Sequence, residues 1–186
     1  MLEITVPAVP SIEMWDEANN QFFYTKSIKE TTLCLEHSLI SLAKWESKWC
    51  KPFLSKQEKT TEETIDYIKC MTLNKNVDDE VYNHLTRDNV EMINKYISAP
   101  MTATYFSKEP GSKGGRETIT NELIYYWLIA LTIPVEFEKW HLNRLLTLIR
   151  VCNIKNQPAK KMSKRDIMSR NAALNAARRQ QMNTPG

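Results

Sequence analysis

A mainly α fold with a small N-terminal β element, α+β in class, is what three features of these 186 residues predict. Apolar residues recur at helical spacing through most of residues 37–154, whereas β-branched and aromatic runs concentrate in residues 1–36. Glycine is scarce. Of four glycines, three stand together at Gly111, Gly114 and Gly115, so few turns needing a positive φ are expected and a turn-rich β-sandwich is disfavoured. With 42% hydrophobic and 25% charged residues, the chain can build a core and is not a disordered polymer.

The elements follow in order. Residues 2–6 (LEITV), closed by Pro7 and Pro10, read as an edge strand. Residues 21–25 (QFFYT) and 31–35 (TTLCL) are β-rich and flank a polar stretch, and the three segments together predict one small sheet. From Ser38 the period changes. Leu39, Leu42, Trp45 and Trp49 predict a helix over 38–50, stopped by Pro52. Thr61, followed by Glu62 and Glu63, opens a second helix over 61–72 with Ile65, Ile68 and Met71 or Thr72 inward. Asp78 and Asp79 cap a short segment, and Thr86, Asp88 and Asn89 open a helix carrying Val90, Ile93, Tyr96 and Ile97.

Residues 99–116 contain two prolines and the three clustered glycines and predict a surface loop, flexible over 108–115. Residues 117–132 then predict a helix with Ile119, Leu123, Tyr126, Trp127 and Ala130 inward. Residues 135–153 predict another, with Phe137, Trp140 or His141, Leu145, Leu148 and Cys152 inward. Pro134 between them suggests an antiparallel αα-hairpin. A last helix, capped by Ser163, has few large apolar residues and would be marginal alone.

Charge divides the chain into a body over 1–154 and a tail over 155–186. The tail carries eight basic residues and one acidic, a net +7, while the body carries 17 basic and 21 acidic, a net −4. The tail therefore suits an acidic protein surface or a nucleic acid. The N-terminus MLEITVPAVP lacks a basic then apolar leader pattern, and Cys34, Cys50, Cys70 and Cys152 form no CxxC pair. A cytosolic protein with reduced thiols is expected. The apolar run 123–133 is 11 residues long, short of the roughly 20 a membrane span needs, and reads as a core helix.

Chemistry-bearing patterns are weak. Glu138 and His141 have the Glu-x-x-His spacing of di-iron bundles, but no second such pair accompanies them. GSKGGR at 111–116 lacks the Lys-Ser or Lys-Thr of a phosphate-binding loop. No nucleophile motif surrounds His37, His84 or His141. No catalytic, cofactor or metal residue is assigned. Tyr125, Tyr126 and Trp127 are consecutive and cannot all face one core, so at least one should meet a partner or another segment.

Five blocks carry a resemblance: LEHSLISLAKWESKWCKPFL at 35–54, TIDYIKCM at 64–71, YISAPMTATYFS at 96–107, ETITNELIYYWLIALTIPVEFEKWHLNRLLTLIRVCN at 117–153, and the tail KNQPAKKMSKRDIMSRNAALNAARR. They are similar to proteins of long-tailed, siphovirus-type bacteriophages assigned as tail assembly chaperones, of the lambda tail-chaperone type. The resemblance implies a non-catalytic factor working in the cytoplasm of the infected bacterium and absent from the mature virion. Such proteins coat the tape measure protein and recruit tail tube subunits. They often exist also as a longer frameshifted product.

On that basis Tyr125, Tyr126 and Trp127 are expected to contribute to a client groove. Lys160, Lys161, Lys164, Arg165, Arg170, Arg178 and Arg179 are expected to make an electrostatic contact. Two other classes compete: a nucleic-acid-binding protein using the tail to track phosphates, and a permanent head or neck subunit. Self-association is compatible with the chaperone class.

Overall fold

A computed structural model describes residues 1–17, 19–106, 118–157 and 163–182. It is mainly helical with a small β component, as the periodicity predicts. Contacts divide the chain into two units, Met1–Asn153 and Ile154–Gly186.

In the first unit, β1 (Leu2–Val6) pairs antiparallel with β4 (Thr31–Leu35), Ile4 lying opposite Leu33. Their alternation buries Ile4, Val6, Leu33 and Leu35 on one face. The predicted single sheet is in fact two ribbons. The run at 21–24 does not join β4 but pairs with a strand the sequence reading missed, so that β2 (Glu13–Asp16) and β3 (Gln21–Tyr24) form a separate hairpin. Four-residue strands with apolar residues on both faces give no alternation to read.

Helix α1 (Leu39–Trp49) begins where Ser38 Oγ accepts the Ser41 N–H and ends at Cys50, whose φ is 51°. It is central because its two sides serve two clusters. Trp45 packs with Ile4, Leu33, Leu35, Tyr67, Ile68, Met71 and Ile93, whereas Leu39 and Leu42 pack with Ile124, Leu128, Leu142, Leu145 and Ile149. Helix α2 (Thr61–Met71) starts at the expected residue and is capped from the one before it: Thr60 Oγ1 accepts the Glu63 N–H and Glu63 Oε2 accepts the Thr60 N–H. The Trp45 indole donates to the Glu63 carbonyl at 2.8 Å and the Trp49 indole to Asp66 at 2.9 Å, tying α1 to α2 without an unpaired buried N–H. A 3-10 turn at Asp79–His84 and helix α3 (Arg87–Ser98) follow at the predicted caps, Asp78 and Thr86.

Helix α4 (Asn121–Ala130) is rotated from its expected phase. Ile124 and Leu128 are fully buried, whereas Tyr126 and Ala130, read as inward, are exposed. A window apolar all round carries no phase information. Nor is 135–153 one helix. A 3-10 turn at Val135–Lys139 is separated from α5 (Leu142–Asn156) by Trp140 and His141, and the inner residues are Leu142, Leu145 and Ile149.

The break has a cause. His141 forms a bridge with Ser38, the Leu142 N–H donates to the His37 carbonyl at 2.7 Å, and the His141 ring bonds the Tyr96 carbonyl at 3.0 Å. A continuous helix would forfeit these contacts. The connection from α4 to α5 is therefore a turn, a 3-10 segment and a pinned junction, the two helices share one core cluster, and α4 lies against α1.

Glycine scarcity misled about turns. Asn20, Cys50, Asn76, Met101 and Thr132 all take positive φ without being glycine. The expected flexible loop 108–115 lies outside the described residues. In the second unit, α6 (Lys164–Met182) starts at Ser163, whose Oγ accepts the Asp166 N–H, and buries no residue.

Candidate functional site

The first candidate surface is the outer face of α4. Burying Ile124 and Leu128 obliges positions 122, 126, 129 and 130 to point the other way, because they repeat at three and four residues along the opposite side. Tyr126 is 63% and Ile129 71% exposed, and Val135, beyond the turn, is exposed as well. Leaving Ile129 largely in water forgoes on the order of 1–2 kcal/mol of transfer energy, and the Tyr126 ring adds to it.

The neighbours of Tyr126 are held differently. Trp127 is half-buried against the second cluster. Tyr125 is also half-buried, and its hydroxyl donates to Glu138 Oε2 at 2.7 Å. Burial first, and that carboxylate second, push the Tyr125 phenol up to about 12. Of the three consecutive aromatics, then, two support the helix and Tyr126 faces outward.

The α4 N-terminus is fixed from α1. Thr120 makes no side-chain cap, and Glu46 substitutes for it: Oε2 accepts both the backbone N–H and the side-chain amide of Asn121 at 2.7 Å, and Oε1 accepts the Phe53 N–H at 2.7 Å. A buried carboxylate with three N–H donors satisfies the helix end and favours its dipole. Nothing in the spacing of Glu46 and Asn121 announces this pairing.

The second candidate surface is α6. Lys164, Arg165, Arg170, Arg178 and Arg179 are all exposed and spread around more than half of the helix circumference, a broad positive surface and no narrow stripe. Lys160 and Lys161 lie outside the described residues. The structure thus gathers the aromatic candidates on α4 and the described basic candidates on α6, each within its own unit.

A third exposed surface escaped the sequence reading. The β2–β3 hairpin leaves Met14, Trp15, Phe22, Phe23 and Tyr24 exposed, with Ile12 beside them. Trp15 meets Phe22 edge to face at 4.6 Å and the Tyr24 hydroxyl donates to Glu13 at 2.7 Å. Consecutive Phe22, Phe23 and Tyr24 in a short strand were the available signal, since no single buried face can take all three.

Glu138 and His141 do not converge on a metal: the one receives Tyr125 and the other is buried on the Tyr96 carbonyl. Among the described residues no group of three His, Cys, Asp or Glu side chains could hold a metal ion, and no helix is long and apolar enough to cross a membrane.

No family model, curated protein or solved structure matches this chain.

Proposed function

We propose that this protein is a non-catalytic tail assembly chaperone of a long-tailed bacteriophage, acting in the cytoplasm of the infected bacterium. Its clients are the tape measure protein, whose apolar helices it shields, and the tail tube protein, which it recruits. The observation that carries the reading is the outer face of α4: Tyr126 and Ile129 stand exposed on a helix whose other face is locked into the core. An apolar stripe at i and i+3 on a rigid helix is suited to an amphipathic client helix laid alongside it. The block similarities at 35–54, 64–71, 96–107 and 117–153 give the direction, and a helical body carrying a separate basic helix is compatible with it.

Co-expression with fragments of the tape measure protein tests this. The wild-type chain keeps the fragments in the soluble fraction and co-purifies with them, and the double variant Tyr126→Asp, Ile129→Lys loses at least about tenfold of that capture while melting at the same temperature. Equal capture by the variant would remove α4 from the client surface.

The exposed basic helix α6 favours one rival, a protein that tracks nucleic-acid phosphates. That reading requires affinity that falls steeply with salt.

A further inference from the structure

We propose that the β2–β3 hairpin is a homodimerisation element, in which β3 of one copy pairs antiparallel with β3 of a second copy about a two-fold axis at Phe23.

The hairpin is not a finished structure. A two-stranded ribbon is marginally stable by itself, and this one has both faces open: all of β3 and nearly all of β2 is exposed. Its exposed groups are costly ones, with Trp15 46%, Phe22 63%, Phe23 44% and Tyr24 69% accessible. Taking about 150–250 Å² for an aromatic side chain, Trp15, Phe22 and Tyr24 leave on the order of 350 Å² open on one face of the ribbon, and Ile12, Met14 and Phe23 about 250 Å² on the other. Each face is within what a monomer exposes in one place. Pairing at the edge extends both faces across the seam at once, toward the roughly 800 Å² per partner of a stable interface.

The free edge fits a second copy. Thr25 donates its N–H to the Ile12 carbonyl at 2.9 Å, so the alternation of an antiparallel ladder turns Phe23 and Gln21 toward β2 and leaves the backbone groups of Phe22 and Tyr24 pointing outward. Around a two-fold at Phe23, Phe22 of one copy lies opposite Tyr24 of the other. Each of these two equivalent pairs exchanges an N–H and a C=O, giving four main-chain hydrogen bonds. Faces are preserved, because residues 22 and 24 share one face and residue 23 the other. Charge selects the edge: Gln21–Tyr24 contains no ionisable carboxylate or amine, whereas β2 carries Glu13 and Asp16, so pairing β2 with β2 would gather four carboxylates along one seam. The proposal stands independently of the chaperone reading.

Phe23 sitting opposite itself gives a test with its own rescue. Sedimentation equilibrium of the full chain should show a dimer at micromolar concentration. Phe23→Lys and Phe23→Glu should each weaken it at least about a hundredfold through like charges at the axis, with unchanged far-ultraviolet dichroism. Mixing the two variants should restore a dimer of one copy of each. A monomeric wild type at 100-micromolar order, a dimer indifferent to both substitutions, or variants that stay monomeric when mixed would each overturn the proposal.

Discussion

Glu46 and Asn121, 75 positions apart, are joined by two hydrogen bonds of 2.7 Å to a single carboxylate oxygen, so that a side chain of α1 caps α4. The helix carrying the proposed client surface is therefore oriented by a buried residue of another helix. Glu46→Ala leaves the Asn121 and Phe53 donors without their acceptor and should destabilise the protein by about 3 kcal/mol or more. Glu46→Gln, which turns an NH2 toward donors, should cost about 1–3 kcal/mol. Urea unfolding measures both, and losses below about half a kcal/mol would mean that water replaces the carboxylate.

Thr132 follows α4 with φ of 54°, while the Thr132 N–H donates to the Ile129 carbonyl and the Ile133 N–H to the Leu128 carbonyl at 2.8 Å. This is a Schellman ending with a β-branched residue where glycine is usual. Thr132→Gly should therefore stabilise by about 1 kcal/mol and raise the melting temperature by a few degrees. A lower melting temperature would show that glycine entropy in the unfolded chain outweighs the relieved strain.

Acid should destabilise the body through the His37–His141 junction. The two rings meet edge to face at 5.1 Å, and His37 Nδ1 lies 2.5 Å from the Tyr67 hydroxyl oxygen. Burial first, and the neighbouring His141 second, push His37 down to about 4, while burial also lowers His141. A depressed imidazole is neutral when folded but takes up a proton near 6.5 when unfolded. The stability is thus fully present above about pH 6.5 and falls toward pH 4, by about 3 kcal/mol for His37. The urea midpoint should drop over this window, and His37→Gln should flatten the slope. A slope equal to that of the wild type would assign it to other groups.

Much of the fold was legible because local chemistry and burial agree there. The caps at Asp78, Thr86 and Ser163 and the strands at residues 2–6 and 31–35 lie where side-chain type and apolar period predict them. Two failures share a physical reason: long-range contacts decided them. Glu46 fixes α4 from α1, and the bridge from Ser38 to His141 breaks what would otherwise be one helix. The aromatic hairpin was half visible at Phe22–Tyr24, but its partner strand, Glu13–Asp16, carries no periodic signal. For the candidate site, three consecutive aromatics announced that one must face outward, while identifying Tyr126 required the helix phase that only packing supplies.

Charge on α6 should matter only where salt does not screen it. Replacing Lys164, Arg165, Arg178 and Arg179 by Glu should lower capture of an acidic client at least about tenfold at 20-millimolar-order salt, and the difference should shrink at half-molar-order salt. Equal capture at low salt would leave α6 without an electrostatic role.

The most direct test of the functional reading is mass spectrometry of the proteins that co-purify with the tagged chain from infected cells after nuclease treatment, set beside the protein inventory of purified virions. Recovery of the tape measure and tail tube proteins, with the chain itself missing from virions, is the predicted result. Stoichiometric presence in virions would make it a structural subunit, and association that nuclease abolishes would assign it to nucleic acid; either result contradicts the account.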